Sequence, residues 1–241
     1  MFQKMMTGAL IAGIGAGLFA ALLHFVFIQD LLLLGERYES GEIVHFVAPG
    51  AEAPATAPQN APASDPGQVA QADDGTDGTV LRNALTVGFT VVLYTAFASL
   101  LIAGFAVATQ MGRRIDATQG LLWGVAGFAA IHMAPAMGLA PNLPGTMGAD
   151  IADRQIWWWA TVIATGSGLG MIAFGRSVPL AVAGILLILA PHLVGAPMLD
   201  GYFSPAPAEL GAQYATRVLG VALTSWSLLG WLAGWQWSRL T

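Results

Sequence analysis

Six stretches of this chain are apolar over the length that a helix needs to cross a lipid bilayer. Each contains at most one Asp, Glu, Lys or Arg, and they cover residues 7–28, 83–108, 118–139, 155–174, 178–197 and 214–237. About 20 helical residues, at about 1.5 Å each, span the ~30 Å hydrocarbon layer. The pattern therefore predicts an all-α, polytopic membrane protein with about six transmembrane helices in a single membrane domain, residues 1–241.

Two segments of different character separate the first two predicted spans. Residues 30–46 alternate apolar residues with Tyr38 and three glutamates, a pattern that predicts a short helix at the membrane surface. Residues 49–78 are rich in Ala, Pro, Asp, Gly and Gln and contain no aromatic residue. Such a segment cannot bury enough apolar surface to fold, so we predict a flexible outer linker there.

The basic residues favour an orientation with both termini in the cytoplasm. An even number of crossings puts both termini on one side, and the adjacent Arg113 and Arg114 occupy a short connection on that side. Short cytoplasmic loops are enriched in Lys and Arg. Apart from Asp116, every Asp and Glu then falls on the outer side, where an acidic surface would concentrate cations. We expect a multi-pass protein of the bacterial cytoplasmic (inner) membrane.

The composition agrees with a membrane protein and narrows its chemistry. Hydrophobic residues make up 56% of the chain and charged residues 10%. There is no cysteine, which excludes disulfides and thiolate metal sites and leaves His, Met, carboxylate and backbone oxygen as metal ligands. The sequence also lacks a Walker A loop, an HExxH helix, a GxSxG elbow and a dinucleotide fingerprint. We therefore expect no enzyme, no nucleic-acid partner and no tightly bound cofactor.

Small residues and tryptophans indicate how the predicted helices pack and where they end. Small residues at four-residue spacing allow helix backbones to approach closely in a membrane. They occur as Ala9, Gly13, Gly17 and Ala21, and as the pairs Gly120 and Gly124, Gly166 and Gly170, and Gly230 and Gly234. Tryptophans near helix ends are typical of interfacial anchors. We predict that role for Trp157, Trp158, Trp159, Trp235 and Trp237.

Three of the four histidines lie inside predicted spans, where ionisable residues are rare and suggest a functional site. With both termini inside, His24, His132 and His192 lie roughly 14 to 17 residues along three helices that all run outward, or about 21 to 25 Å into the ~30 Å layer. All three are therefore predicted at one depth in the outer third of the membrane. Either each one bonds a neighbouring helix, or they form part of a shared site.

The surroundings of these histidines are compatible with metal binding. His132 precedes Pro135, and His192 follows Pro191. Proline interrupts helical hydrogen bonding, and broken helices at membrane depth are tolerated where they line a cavity. Neutral imidazole suits Co, Ni, Cu or Zn. We therefore predict His24, His132 and His192 as candidate ligands of a divalent transition metal.

Several longer segments carry a resemblance to a known family. They are GLLWGVAGFAAIHMAPAMGLAPNLPGTMGADIADRQIWWWATVIATGSGLG, APHLVGAP, AELGAQYA and LHFVFIQDLLLLGERYE. The most specific part is PxLPG followed by RQxWW, here residues 141–145 and then Arg154, Gln155, Trp157 and Trp158. In these segments, and over most of the chain outside the linker, the sequence resembles the CbtA family of probable cobalt transporter subunits. The family often has Gln-Pro at the position of Gln29 and Asp30, and Glu at the position of Asn142.

The resemblance implies a subunit that imports Co²⁺ or another divalent transition metal. It also implies a small single-helix partner of the CbtB type with a histidine-rich segment. Two alternatives stay open from the residues alone. One is a non-transporting structural or accessory subunit packed in an oligomer or a larger membrane complex, with histidines that only bond across helices. The other is a membrane enzyme with an interfacial site near Asp150, Asp153 and Arg154.

Overall fold

The computed structural model describes residues 2–44 and 76–239, and within these ranges the chain is helical and contains no strand. The helical elements are α1 (Phe2–Phe27), α2 (Gln29–Glu39), α3 (Thr76–Gln110), α4 (Ala117–Phe128), a π-helical turn (Ala129–Met133), α5 (Ala134–Ala136), α6 (Ile151–Phe174), α7 (Val178–Val194) and α8 (Ala208–Ser238). The predicted all-α class is confirmed.

Four helices of the described residues are long and apolar enough to cross a membrane. The qualifying segments are Met5–Phe27, Gly78–Gln110, Ile151–Phe174 and Ala208–Ser238. The other two predicted spans are also helical. One runs without a break through α4, the π-helical turn and α5, and the other is α7, a shorter apolar helix of 17 residues. A membrane protein with several apolar helices is supported, while the count of six and the orientation of the termini stay predictions.

The segment between α1 and α3 is only partly described. The helix predicted over 30–46 is confirmed in part, as α2, which begins at Gln29 and ends at Glu39; residues 40–44 are not helical, residues 45–46 lie outside the described residues, and its place at the membrane surface stays a prediction. An ion pair of 3.1 Å between Arg82 Nη1 and Glu36 Oε2 joins α2 to the start of α3. The predicted linker over 49–78 lies outside the described residues, except for its last three residues, which belong to α3.

Helices α1, α3, α4 and α8 pack around one core, and α6 and α7 are added beside it. Helix α1 packs against α3 on one side and α8 on the other, and α8 packs against α4. Helix α6 contacts the π-helical turn and α5, and α7 packs against α6. The largest fully buried side chains between α3, α4 and α8 are those of Phe105, Trp226, Leu229 and Trp237.

Glycine contacts explain the closest helix pairs. A Cβ at Gly13 or Gly17 would meet the α3 backbone at Thr95 or Val91, as the stripe in α1 predicts. Gly120 and Gly230 face each other across α4 and α8, where each position lies against the other's carbonyl oxygen. Both contacts are close backbone approaches that a larger side chain would prevent.

One glycine prediction is wrong. Gly166 and Gly170 have open space where a Cβ would lie, so they pack against nothing in the described part of the chain. The contact between α6 and α7 uses Gly168 and Gly184 instead, and each lies against the other's carbonyl oxygen. The four-residue spacing in α6 identified the right helix, but Gly168 is two residues, or about 200°, from each predicted position, so the contacting face is nearly the opposite one.

The tryptophans divide into two groups. Trp159 is 57% exposed, as an interfacial anchor should be, but Trp157 is only 7% exposed and Trp237 only 2% exposed. The anchoring prediction is therefore wrong for Trp157 and Trp237. Trp237 packs its ring near Phe105 of α3, and Trp157 bonds the backbone of α7.

Successive connections gather at opposite ends of the helices. At the α2 end, defined by α2 and the connections 137–150 and 195–207, the Met147 N–H donates to the Phe203 carbonyl at 3.2 Å, and Gly35 lies against Leu143. At the arginine end, defined by the connections 111–116 and 175–177, Arg113 Nη2 donates to the Ala173 carbonyl at 2.9 Å. Connections that alternate between two ends are typical of a chain that crosses a layer repeatedly.

Candidate functional site

The most irregular helical segment contains His132. The Ala134 N–H bonds the Ala129 carbonyl, five residues back, which is the bond of a π-helical turn. Pro135 follows, and because proline has no N–H it removes one further helical bond. π-helical turns are rare and occur frequently at functional sites. The sequence thus places a histidine in a π-helical turn that is followed by a proline.

Aromatic rings fix the orientation of the His132 imidazole. It stacks on Phe128 with centroids 6.0 Å apart and an interplanar angle of 15°. Phe97 of α3 and Trp226 of α8 meet it edge to face, at 6.4 Å and 6.0 Å. The Nδ1 atom is buried and has no hydrogen-bond partner among the described residues. An oriented imidazole with an uncommitted nitrogen is a suitable ligand group.

A cavity of about 510 Å³ opens beside this imidazole, and we call it the His132 cavity. Its polar lining combines the imidazole with two amides, a guanidinium and an indole, from His132, Asn142, Gln155, Arg154 and Trp158. Its apolar lining is formed by Ile131, Pro135, Ala136, Leu139, Ala140, Pro141, Ile151 and Leu219. The volume falls within the range of about 300–1,000 Å³ that is typical of small-molecule sites.

A second cavity, of about 670 Å³, adjoins the first at the α2 end, and we call it the Glu209 cavity. Both cavities are lined by Leu139, Ala140, Asn142 and Arg154. The Glu209 cavity continues along residues of the two connections at this end, including Met147, Met198, Tyr202 and Glu209 itself. Together the two cavities extend from the π-helical turn at His132 to the connections at the α2 end.

The first turns of α6 place three polar side chains at these cavities. Asp150 caps the helix by accepting a bond of 2.8 Å from the Ala152 N–H. Arg154, Gln155 and Trp158 follow within one helical turn and line the His132 cavity. Trp157 points away from this cavity, and its Nε1 donates to the Pro191 carbonyl at 3.1 Å. The RQxWW motif thus supplies both cavity lining and a contact between helices.

Arg154 gives the His132 cavity a positive charge. The side chain is half-buried, and it has no hydrogen-bond or ion-pair partner within residues 2–44 and 76–239. The Glu209 cavity contains both Arg154 and Glu209, but these two side chains do not form an ion pair. The Glu209 cavity is therefore lined by charges of both signs, whereas the charged lining of the His132 cavity is the positive Arg154.

The other two predicted ligands lie in different surroundings. His24 Nε2 is 3.1 Å from Gln29 Oε1, and the ring lines a separate groove of about 720 Å³ between α1 and α3, together with Arg82 and Thr86. The His192 ring packs edge to face on Trp157, with centroids 5.9 Å apart. Neither histidine lines the His132 cavity or the Glu209 cavity.

The three histidines therefore do not assemble into one site in this conformation. No group of three or more His, Asp or Glu side chains that could hold a metal ion is found in the described ranges. The physical reason is lateral position: α1 packs against α3 and α8, whereas α7 packs mainly against α6. A metal-binding role for each of His24, His132 and His192 stays a prediction, and only His132 lines the His132 cavity.

Sequence reasoning missed most of the cavity lining. Gln155 and Trp158 were noted as motif residues, but nothing in their spacing alone indicated which side of α6 faces a cavity. The available signal was the RQxWW motif, because an Arg-Gln pair at the start of an apolar helix has no packing role there.

Comparison with known proteins gives one match. The model of the family described as "Probable cobalt transporter subunit (CbtA)" matches residues 2–238, nearly the whole chain. Searches of curated proteins and of solved structures find no match.

Proposed function

This chain belongs to the CbtA family, and from that premise we propose that it is the membrane subunit of a transition-metal uptake transporter whose cargo is Co²⁺. The family description supports a transporter subunit. Cobalt as the cargo, import as the direction and the path through the protein are parts of the proposal.

The observation that carries the proposal is the pair of adjoining cavities. They reach from the α2 end to the imidazole in the π-helical turn, and Arg154, Gln155 and Trp158 of the family motif contribute to their lining. A transporter needs a polar path of this kind at membrane depth, lined by irregular backbone. A subunit with a purely structural role needs only a solid bundle. The cavities therefore favour transport over the accessory role.

The proposed path begins at the α2 end and passes His132. Glu209 offers a carboxylate there, and Met147 and Met198 offer thioethers. His132 then offers its imidazole, which lines the His132 cavity. Co²⁺ accepts imidazole and oxygen ligands. A path with few ligands at any one point is compatible with transport, because an ion that is held by many ligands leaves slowly.

The proposed topology has six crossings, with both termini in the cytoplasm of a bacterial cell and the α2 end outside. The alternation of connections between the two ends supports this arrangement. The arginine end then faces the cytoplasm, as the positive-inside rule predicts for the connections that carry Arg113, Arg114 and Arg176.

We also propose that the chain acts with a small single-helix partner of the CbtB type and is not itself an enzyme. The sequence has no nucleotide-binding loop that could supply energy. A divalent cation that moves inward is driven by the membrane potential, at about 2.3 kcal/mol per charge for 100 mV. The energy source is therefore the potential or the partner.

The test is uptake of radiolabelled Co²⁺ by cells that express this chain, the partner, both or neither. We expect uptake above background when both are present, and competition by unlabelled Co²⁺ that is stronger than competition by Mg²⁺. Equal uptake in all four strains would contradict the proposed function. Full uptake by the partner alone would assign this chain to the accessory role.

A further inference from the structure

A cavity at the arginine end is independent of the proposed transport path. It has a volume of about 600 Å³ and is lined by Met111, Gly112, Arg113, Phe174 and Arg176. Two guanidinium groups from different connections therefore share one space, and none of the five lining residues is acidic. Such a concentration of positive charge at one point needs an explanation.

Arg113 is held in place by the end of α6. Its Nη2 donates to the Ala173 carbonyl at 2.9 Å, and its Cζ lies 5.6 Å from the centroid of the Phe174 ring. A cation beside the last carbonyls of a helix is favourable. A guanidinium has five N–H donors, so these contacts position the group and leave donors for an anion.

Arg176 and the nearby acid do not neutralise this charge. Arg176 is exposed and has no hydrogen-bond or ion-pair partner in the part of the chain that the structure describes. Asp116 is the only Asp or Glu in the two connections, and its Oδ1 accepts the Gln119 N–H at 2.8 Å as the cap of α4. The positive charge in the cavity is therefore available to a ligand.

The position and the apolar lining indicate the class of ligand. Helix α3 ends at Gln110, α6 ends at Phe174 and α7 begins at Val178, so the cavity lies where the apolar helices end. Met111, which is 54% exposed, and the half-buried Phe174 ring add an apolar surface beside the arginines. A site with cations and apolar side chains at the end of membrane helices suits a lipid with an anionic headgroup.

We propose that this cavity binds an anionic phospholipid, with the phosphate between Arg113 and Arg176 and the acyl chains along Met111 and Phe174. This inference goes beyond the proposed transport function. A phosphate can accept hydrogen bonds from two guanidinium groups at once. A zwitterionic lipid also has a phosphate, but its headgroup carries a compensating positive charge, so the two arginines should bind it less tightly. The lipid would join the two connections at the arginine end.

The test uses the purified full-length chain in a neutral detergent. Phosphatidylglycerol or phosphatidylcholine is added, and bound lipid is measured by native mass spectrometry, with the melting temperature as a second readout. We expect tighter retention of phosphatidylglycerol and a higher melting temperature with it. Each arginine near an anionic lipid strengthens binding by about fivefold. Arg113→Gln and Arg176→Gln should each weaken binding by about fivefold, and the double variant by about 25-fold.

Arg217→Gln is the matched control. Arg217 Nη1 also donates to a carbonyl at the end of a helix, that of Phe27 at 3.1 Å, but it lies away from the cavity. We expect this variant to bind phosphatidylglycerol as the wild type does. Because the Arg176 side chain makes no hydrogen bond or ion pair within the described residues, Arg176→Gln should fold normally and keeps the test valid even if Arg113→Gln is unstable.

Three results would overturn the proposal. Equal retention of phosphatidylcholine and phosphatidylglycerol would show that the site does not select an anionic headgroup. A loss of phosphatidylglycerol binding in Arg217→Gln as large as in the Arg113 and Arg176 variants would show that the lipid does not bind specifically at this cavity. Displacement of the lipid by millimolar inorganic phosphate, with the same rise in melting temperature, would assign the cavity to a soluble anion.

Discussion

The Trp157 indole donates a hydrogen bond of 3.1 Å to the carbonyl oxygen of Pro191, and this bond connects α6 to the end of α7. The same oxygen also accepts the Gly195 N–H at 3.0 Å, so one carbonyl ends α7 and holds it against α6. The His192 ring packs edge to face on Trp157. The buried tryptophan of the family motif therefore positions α7, while its neighbours in α6 line the His132 cavity.

Trp157→Phe should destabilise the protein by about 1 kcal/mol, because it leaves the Pro191 carbonyl without its donor from α6 and keeps most of the ring. The measurement is thermal or denaturant unfolding of the purified protein. Trp159→Phe is the matched control, since Trp159 is 57% exposed and makes no bond to another helix in the described part of the chain. Equal stability of the two variants would show that the bond contributes nothing.

Gly230→Ala should weaken the contact between α4 and α8. A Cβ at this position would lie 2.7 Å from the Gly124 Cα and still closer to the Gly120 carbonyl, so the two backbones must separate. Overpacking of this kind costs about 1–3 kcal/mol. Gly166→Ala and Gly170→Ala should not destabilise, because both positions have open space. The melting temperatures of the three variants give the comparison, and a loss in Gly166→Ala as large as in Gly230→Ala would contradict it.

The sequence predicts the helices well because membrane spans depend on a local property, the run of apolar residues. Each of the six predicted stretches is largely helical, although residues 137–139 and 195–197 at the ends of two of them are not. The depth of a residue in the membrane can also be predicted from its position in its own helix, since each residue adds a fixed rise. That calculation predicts one common depth for His24, His132 and His192. Lateral position depends on which helices are neighbours, and nothing in the spacing of the histidines encodes that. The three histidines therefore lie apart in this conformation, and their role as metal ligands stays a prediction.

The details of packing were harder to predict for the same reason. The glycines of α6 indicate that another helix packs closely against it. Gly166 and Gly168 face different directions, and the sequence of α6 alone does not show which direction faces the neighbour. The position of α7 makes Gly168 the contact residue. The π-helical turn at His132 shifts the helical register by one residue, which periodicity alone does not reveal. Pro135 was the visible sign of irregular backbone there.

The topology can be tested by labelling single cysteines, since the chain contains no natural cysteine. Tyr202→Cys at the α2 end should react with an impermeant thiol reagent added to intact cells. Met111→Cys at the arginine end should react only after the membrane is permeabilised. Both native side chains are exposed, at 88% and 54%, so access within the protein does not limit either reaction. The reverse labelling pattern would invert the proposed orientation.

Replacement of single histidines by Gln should separate their roles, because Gln retains polarity and approximate size but is a weaker metal ligand. We expect His132→Gln to lower Co²⁺ uptake by at least about tenfold, as loss of groups at a metal site commonly does. His24→Gln and His192→Gln should lower uptake less, because neither residue lines the two cavities. Uptake is measured in cells with matched expression of each variant. A smaller loss of uptake in His132→Gln than in the other two variants would contradict a role for His132 in the path.

The central claim is that metal passes through the cavities beside His132, and a blocked cavity tests it most directly. Ala136 lines the His132 cavity, so Ala136→Trp should fill much of its volume of about 510 Å³. Ala183→Trp adds the same side chain at an exposed position of α7 and is the matched control. Uptake of radiolabelled Co²⁺ is measured in cells with equal amounts of each variant and of the partner. We predict background uptake with Ala136→Trp and wild-type uptake with Ala183→Trp, whereas wild-type uptake with Ala136→Trp would contradict the claim.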